Sequence, residues 1–211
     1  MTDSDTITGL LVSALESVWT AIRYRHPDVP DVVLTVGAGS MHGSLTLGHF
    51  APNRWVRGEF ELHELFIGGE GLKNGAIDLL GTLLHEATHG VAVTRGIKDT
   101  SRQGRWHNDR FRELGEELGL DLARDAKIGW SITTVPEPTR LTYRDQVDEL
   151  NFALVAHRRS EPAKRGGRKS SNNGIAAECG CGRKIRLSRS AFEIGGIRCE
   201  VYETRFAAAE L

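Results

Sequence analysis

Two histidines four residues apart occur in the motif His85-Glu86-Ala87-Thr88-His89. Residues at this spacing lie one above the other on an α helix, so both imidazoles can reach one metal ion. Glu86 lies next to them, where its carboxylate can hold and deprotonate a water molecule on that ion. Imidazole nitrogens favour zinc, and a catalytic zinc site leaves a fourth position open. The motif therefore predicts a catalytic zinc centre with His85 and His89 as ligands and Glu86 as general base.

The helix that carries this motif is expected to run from about residue 75 to residue 95. Asn74 is its expected N-cap, and Gly96 follows its end. Apolar residues cover much of its circumference, which predicts a largely buried helix: Ile77, Leu79, Leu80, Leu83, Leu84, Ala87 and Val91. A His-Glu-His group in such a helix costs free energy unless it is paired or ligated. The surroundings therefore favour metal binding over two ordinary histidines.

A third protein ligand is expected at His107, which stands 18 residues after His89, where the next helix begins. The alternative is a carboxylate from that helix, which offers Glu113, Glu116 and Glu117. We prefer the histidine, because these glutamates have the spacing of a solvated helix surface. The metzincin pattern would require a glycine three residues after His89 and a histidine six after it. Ala92 and Arg95 occupy those positions, so that class is excluded.

Other elements must position these residues. Apolar residues at three- and four-residue steps predict an amphipathic helix over residues 6–25, and short alternating runs predict strands over residues 32–36, 44–50 and 55–67. Asn108 is the expected cap of a helix that ends at Gly119, and a further helix is expected over residues 143–157. The strand at residues 59–67 is expected to border the cleft and to hold an extended substrate at its edge. On this strand we assign His63 and Glu64 to cross-strand or surface roles.

Three runs of the sequence, residues 82–89, 106–111 and 114–120, together resemble the SprT-like family of zinc metallopeptidases. This family includes the Spartan-type DNA-dependent proteases. It pairs the HExxH motif with a later histidine ahead of a helix that contains phenylalanine, as in Trp106-His107-Asn108 followed by Phe111. The loop at residues 99–105 resembles the form found in actinobacterial and actinophage members. The resemblance covers residues 1–130 and, as a C-terminal zinc ribbon, residues 175–206.

This resemblance implies an α+β fold with a zincin-like metallopeptidase domain, built from an N-terminal helix, a small mixed sheet, the HExxH helix and the following helix. It implies one catalytic Zn²⁺ bound by His85, His89 and His107, with Glu86 as general base. The expected organisation is a catalytic domain at residues 1–130, a connecting segment with a helix at 131–162, a basic flexible linker at 163–174 and a degenerate zinc-ribbon-like module at 175–211.

All three cysteines of the chain lie in the C-terminal module: Cys179, Cys181 and Cys199. Alternating segments at residues 184–188 and 196–202 predict a β-hairpin around them. A family ribbon would have a fourth cysteine two or three residues after Cys199, but Tyr202 stands there. Structural zinc nearly always has four ligands. Either a group such as His157 completes a second, structural zinc site, or the module folds without metal.

The formal net charge of −1 is the sum of two opposite parts. Residues 157–211 carry 12 basic and six acidic side chains, whereas residues 1–156 are net −7. Clustered cations on a glycine-rich tether are typical of sequence-independent phosphate binding, although a solvated linker would share this composition. We therefore expect nucleic-acid binding, with DNA as the partner, by Arg158, Arg159, Lys164, Arg165, Arg168, Lys169, Arg183, Lys184 and Arg186.

These observations lead to one expected function and one alternative. The first is a zinc-dependent metalloendopeptidase that hydrolyses protein substrates, including DNA-associated ones. The alternative is a non-catalytic nucleic-acid-binding protein whose zincin-like domain is structural. Three cysteines disfavour a disulfide framework, and the acidic N-terminus lacks the basic region of a signal peptide. We accordingly expect a cytoplasmic protein, monomeric and without a membrane partner, in a bacterium or a phage-infected host.

Overall fold

A computed structural model describes residues 6–41, 44–161 and 174–208. The chain divides into two compact units, Met1–Pro162 and Ala163–Leu211. Within the described residues the fold is α+β, with six α helices and small mixed sheets, as the sequence predicts for the fold class. None of these helices is long and apolar enough to cross a lipid bilayer.

The first unit begins with helix α1 (Ile7–Arg25), which confirms the predicted amphipathic helix. Thr6 caps it, since its side-chain oxygen accepts a hydrogen bond from the Gly9 N–H at 3.0 Å. Its buried face packs into the core of this unit through Leu15, Val18 and Ile22, each of which is fully buried. The helix therefore covers the core on which the site is built.

Five strands follow α1: β1 (Val32–Gly37), β2 (Ser40–Met41), β3 (Ser44–Leu45), β4 (Gly48–Arg57) and β5 (Phe60–Gly68). β1, β5 and β4 form a sheet in that order, in which β1 is parallel and β4 antiparallel to β5. The register between β4 and β5 shifts between Ala51 and Trp55, which is the position of a β-bulge. β5 is therefore the central strand and β4 an edge strand of this sheet.

Helix α2 (Ala76–Thr94) contains the HExxH motif and lies in the core. Its buried residues surround most of the helix, as the sequence pattern predicts. The predicted N-cap at Asn74 is wrong: a 3-10 turn occupies Gly71–Asn74, and Gly75 precedes the helix with a φ of +92°. Gly96 follows the helix with a φ of +63°, a left-handed conformation that glycine adopts without strain.

Beyond α2 the chain forms β6 (Thr100–Ser101), β7 (Trp106–His107), helix α3 (Asp109–Glu117), β8 (Asp121–Asp125) and β9 (Gly129–Thr134). The four strands make one sheet in the order β6-β7-β9-β8. Asn108 caps α3 as predicted, because its side-chain oxygen accepts from the N–H groups of Arg110 and Phe111 at 2.9 and 3.2 Å. The β8–β9 hairpin is a finding of the structure that the sequence pattern does not indicate.

The predicted helix over residues 143–157 is present in part as α5 (Arg144–Ala153), which ends four residues earlier than predicted, and a separate short helix, α4 (Glu137–Thr142), precedes it. The following residues have no regular structure and are held on the sheet by Arg158. Its N–H donates to the Gly69 carbonyl at 2.9 Å, and its guanidinium donates to the carboxylate of Glu70 at 2.6 Å. Arg158 makes these contacts to Gly69 and Glu70 from the irregular segment after α5, which ends at Ala153.

Glu70 is completely buried. Its carboxylate also accepts from the Ser40 hydroxyl at 2.5 Å and from the backbone N–H of Gly39 at 2.7 Å. Hydrogen bonds to the charged form favour ionisation, and those from Ser40 and Gly39 lower the pKa of Glu70 to about 2 against the opposing effect of burial. This network ties the end of the first unit to the loop after β1.

The second unit contains β10 (Ile175–Glu178), β11 (Lys184–Leu187), helix α6 (Arg189–Ile194) and β12 (Ala207–Ala208), with β10 between the other two strands. The predicted strand over residues 184–188 is present as β11. The predicted strand over residues 196–202 is wrong, because the chain reverses there: the Cys199 N–H donates to the Thr204 carbonyl at 2.7 Å. Ala177, Cys179, Cys199 and Phe206 form its small core.

Candidate metal centre

The structure brings His85, His89 and His107 together. The first two lie on α2, one turn apart, and the third lies on β7 immediately before α3. Their ligand nitrogens all lie within 4.8 Å of one another, and the three rings are 5.0 to 5.2 Å apart between centroids. Three converging imidazoles can hold one metal ion, which leaves further coordination positions open.

The three glutamates considered as alternative third ligands lie elsewhere. Glu113 and Glu117 line a different cavity of about 310 Å³ together with Ile97. Both carboxylate oxygens of Glu117 accept from Arg95 at 2.7 Å. Glu116 is exposed and lies 4.0 Å from the Arg112 guanidinium. These three carboxylates therefore belong to the exposed surface of α3, as their spacing predicts. His107 is the residue that joins His85 and His89.

Phe111 forms an apolar floor beneath the three imidazoles. Its ring is fully buried, and its centroid lies 4.8, 4.7 and 4.5 Å from those of His85, His89 and His107. Because Asn108 caps α3 three residues earlier, the cap sets where this ring lies. Packing against one rigid ring restricts all three imidazoles to one arrangement.

Hydrogen bonds to the Nδ1 atoms orient two of the imidazoles. His89 Nδ1 lies 2.5 Å from a carboxylate oxygen of Asp99, and His107 Nδ1 lies 3.0 Å from the Ile128 carbonyl oxygen. A carbonyl oxygen only accepts, so Nδ1 of His107 carries the proton. The same tautomer suits the bond to a carboxylate. Each ring then presents Nε2 to the centre, and such partners are typical of metal-bound histidines.

Glu86 is 5% exposed and lies between α2 and the edge of β4. The Phe50 N–H donates to its carboxylate, and burial raises the pKa of Glu86 to about 7 despite that bond and the nearby His89. Gly48 allows this close approach, since a Cβ there would lie 2.8 Å from Glu86 Oε1 and 2.6 Å from Thr82 Cγ2. Burial of this kind holds a carboxyl group near the pKa that suits proton transfer.

The histidines differ in their electrostatic surroundings. Burial and the neighbouring histidines lower the pKa of His85. Burial also lowers the pKa of His107, against the opposing effect of the hydrogen bond to Ile128. Burial alone would lower the pKa of His89, but the hydrogen bond to Asp99 raises it above the ordinary value. Metal ions bind the neutral ring, so the lowered values favour the ligand form of His85 and His107.

An open cleft of about 450 Å³ surrounds these groups. It is lined by residues of β4, α2, β7 and the segment before β7: Gly48, His49, Phe50, Pro52, His85, Glu86, His89, Val93, Asp99, Thr100, Gly104 and His107. The expectation that the strand at residues 59–67 forms the edge of the cleft is wrong, since that strand is central in its sheet. The edge strand at the cleft is β4.

His63 and Glu64, which we assign from the sequence to cross-strand or surface roles, make cross-strand contacts. His63 Nδ1 accepts from the Asn53 N–H at 3.1 Å, and the Glu64 carboxylate accepts from Trp55 Nε1 at 2.7 Å. His49, which has no partner by spacing, lines the cleft without joining the histidine group.

The sequence reasoning missed Asp99. A carboxylate in the loop between two predicted ligands was the only available signal.

Replacement of Asp99 by alanine is expected to lower metal affinity by about 10- to 100-fold, because His89 loses the partner that orients it. Replacement by asparagine should have a smaller effect, since an amide oxygen still accepts from Nδ1. Affinity is measured by competition with a chromophoric chelator. Asp109→Ala, which removes an exposed carboxylate bonded to Trp130, is the matched control. Equal metal affinity in Asp99→Ala and Asp109→Ala would contradict the assignment.

The three cysteines form a second candidate ligand group. Their Sγ atoms lie within 4.8 Å of one another, and those of Cys181 and Cys199 are 3.5 Å apart. Hydrogen bonds from the backbone of Tyr202 and Val201 lower the pKa of Cys199 to about 6 against the effect of burial. Arg183 donates to Cys199 Sγ at 3.3 Å. The group is compatible with a metal ion, and it contains all three cysteines of the chain.

The basic residues expected to bind nucleic acid differ in their contacts: some have ion-pair or hydrogen-bond partners, and others are exposed. Arg158 is paired with Glu70 and Glu161, so we leave it out of the phosphate-binding set. Arg183 contacts the cysteine group, and Lys184 lies 3.4 Å from the Glu178 carboxylate across the hairpin. Arg159 and Arg186 are exposed. The other four residues of the set lie outside the described residues: Lys164, Arg165, Arg168 and Lys169.

Comparison of the chain with protein-family models, with curated proteins and with solved structures finds no match.

Proposed function

We propose that this protein is a zinc-dependent metalloendopeptidase of the SprT-like type that hydrolyses protein substrates. The observation that carries the proposal is the buried Glu86 carboxylate beside three converging histidines in an open cleft. A metal site that serves only stability has no need of a buried carboxylate that lies next to its ligands and lines an open cleft. The position of Glu86 therefore favours the enzyme over a non-catalytic nucleic-acid-binding protein.

The donor set fits zinc. Three neutral imidazole nitrogens with a second layer of hydrogen bonds are a common arrangement for a catalytic zinc ion. His85, His89 and His107 would hold the ion, which when bound supplies a Lewis acid and lowers the pKa of a coordinated water toward neutrality. A zincin-like fold of residues 1–130 accounts for the order of the elements around the site.

Glu86 would act as general base and acid in the reaction. Its carboxylate accepts a proton as the nucleophile forms and returns that proton to the leaving amine. The Phe50 N–H orients the carboxylate by donating to it. Because β4 is an edge strand beside this carboxylate, it can hold an extended peptide by main-chain hydrogen bonds that do not depend on side-chain identity. A protein substrate fits such a cleft.

Nucleic acid is the proposed partner of the basic C-terminal region. Residues 157–211 are net +6, which suits salt-sensitive binding to phosphates. A second zinc ion at Cys179, Cys181 and Cys199 is compatible with the spacing of their Sγ atoms and would take three thiolate ligands from this module. These two roles are independent of the hydrolytic chemistry.

The proposed function is tested with the full-length protein and an unfolded protein substrate such as casein. We expect cleavage in the presence of zinc, its loss after dialysis against a chelator, and its return when zinc is restored. A non-chelating isomer of the same compound is the control for inhibition by other routes. Absence of cleavage by protein that contains stoichiometric zinc would contradict the proposal for such substrates, and cleavage that survives metal removal would contradict the mechanism.

A further inference from the structure

The loop between β6 and β7 has an unusual backbone. Three successive residues have positive φ angles: Arg102 at 52°, Gln103 at 60° and Gly104 at 82°. Two of these residues carry side chains, for which the left-handed conformation costs free energy. Backbone strain of this kind persists where the surrounding structure holds it, and it clusters at functional sites. Gly104 lines the cleft of the histidine group, so the loop lies at the rim of that cleft.

The loop also places an arginine over an aromatic ring. The Arg102 Cζ lies 4.4 Å from the centroid of the Trp106 ring, and the Arg124 Cζ, from β8, lies 5.3 Å from the same centroid. We call these three residues the arginine–tryptophan patch. Contacts of this length are cation–π interactions, and they hold both guanidiniums close to the indole.

Strand register separates the patch from the histidine group. Thr100 is paired with His107 and Ser101 with Trp106 between β6 and β7. Paired residues of antiparallel strands share a face, and neighbouring residues along a strand point to opposite faces. Thr100 and His107 line the cleft, so Trp106 lies on the other face of this four-stranded sheet. The patch is therefore a separate surface that shares one loop with the cleft.

Both guanidiniums of the patch are available for a ligand. Arg102 and Arg124 are exposed, and among the described residues neither side chain has a hydrogen bond or an ion pair. A guanidinium over a ring face uses none of its N–H donors in that contact. Those donors match the oxygens of a phosphate group and can bind it with two parallel hydrogen bonds.

The segments that form the patch also carry acidic residues, two of which have hydrogen-bond partners. The Asp125 carboxylate accepts hydrogen bonds from the backbone N–H groups of Lys127 and Ile128 at 2.6 and 3.0 Å, so it faces the backbone of its own loop. Asp99 is bonded to His89 at the cleft. Arg105 and Lys127 are near the patch in sequence and are exposed. The two segments that form the patch, residues 99–107 and 121–128, carry four basic and three acidic side chains, a net charge of +1 within a first unit that is acidic as a whole.

We propose that the arginine–tryptophan patch binds the phosphate backbone of nucleic acid without reading its sequence. A phosphate group matches the planar N–H fork of a guanidinium, and successive phosphates of one strand can offer a group to each arginine. The proposal adds a contact on the first unit to the one proposed for the basic C-terminal region. It depends on nucleic acid as a partner but not on hydrolysis. Nucleic acid held there lies beside the rim of the cleft, where a protein bound to the same strand can reach Glu86.

The test uses the full-length protein and a fluorescent DNA duplex, with anisotropy measured over a series of salt concentrations. Each phosphate contact contributes about 0.9 to the slope of log affinity against log salt. The double variant Arg102→Ala and Arg124→Ala should therefore bind more weakly and show a slope smaller by about 1.8. The matched control is Arg54→Ala with Arg57→Ala, which removes two exposed arginines of β4. It should leave the slope unchanged.

Three results would overturn the proposal. One is a double variant at Arg102 and Arg124 that melts at the same temperature as the parent protein and has the same slope of log affinity against log salt. Another is an equal loss in the Arg54 and Arg57 control, which would indicate net charge alone. The third concerns labelled polyglutamate as a second probe. If the parent binds polyglutamate and the double variant does not, while both bind the duplex equally, the partner is an acidic protein segment. Because no cleavage is measured, a protein that fails as a peptidase can still show the predicted change in slope.

Discussion

Replacement of Glu86 by glutamine is expected to reduce peptide hydrolysis by about 10²- to 10⁴-fold while zinc stays bound. Glutamine has the same shape, and its side-chain oxygen can still accept from the Phe50 N–H, so the buried site keeps its packing. The amide cannot take up a proton as the carboxylate does. The loss should therefore appear in kcat, with little change in metal content.

Cleavage rates and zinc content of the variant and its parent provide the measurement. Glu113→Gln is the matched control, because Glu113 is an exposed glutamate of α3 in a different cavity. It should hydrolyse substrate at the parental rate. Equal rates for Glu86→Gln and the parent would show that Glu86 is not the general base. Loss of zinc together with activity would assign Glu86 a structural role instead.

Replacement of His107 by alanine is expected to remove one zinc ion per chain and to abolish hydrolysis. Two ligands on one helix turn cannot hold the ion as three do, so the loss of affinity should exceed the roughly 100-fold that follows loss of a hydrogen-bonding partner. Phe111 packs against the His107 ring, and its position is set by the Asn108 cap, so α3 should persist.

Metal content by elemental analysis and affinity by chelator competition test this prediction. His49→Ala is the matched control, since His49 lines the same cleft outside the ligand group. It should keep the full complement of zinc. Any zinc that remains in His107→Ala is then assigned to the three cysteines. Parental stoichiometry and affinity in His107→Ala would exclude this residue as the third ligand.

Local patterns predicted much of the frame of the site. The HExxH motif, the helix around it and the Asn108 cap depend on residues a few positions apart, and each is present. The N-cap of α2 was misplaced because Asn74 belongs to a 3-10 turn that precedes Gly75. The helix predicted over residues 143–157 is present as α5 but ends at Ala153, because Arg158 contacts Glu70 and Gly69, which are distant in sequence.

Strand order could not be read from the sequence. An alternating run predicts a strand whether it is central or at an edge, because alternation reports only which faces are buried. The cleft was therefore assigned to the strand that became β5, although β4 is the edge strand beside Glu86. The β8–β9 hairpin was missed, and with it the Ile128 carbonyl that orients His107.

The sequence by itself determined the chemistry that is available: two imidazoles and a carboxylate on one helix, a third histidine ahead of the next helix, and three cysteines near the C-terminus. Only the tertiary structure decided which groups meet. It placed His107 rather than a glutamate of α3 at the centre, added Asp99, and put Arg102 and Arg124 on one tryptophan. The physical reason is that helix periodicity fixes positions within one turn, whereas contacts across loops depend on how the core packs.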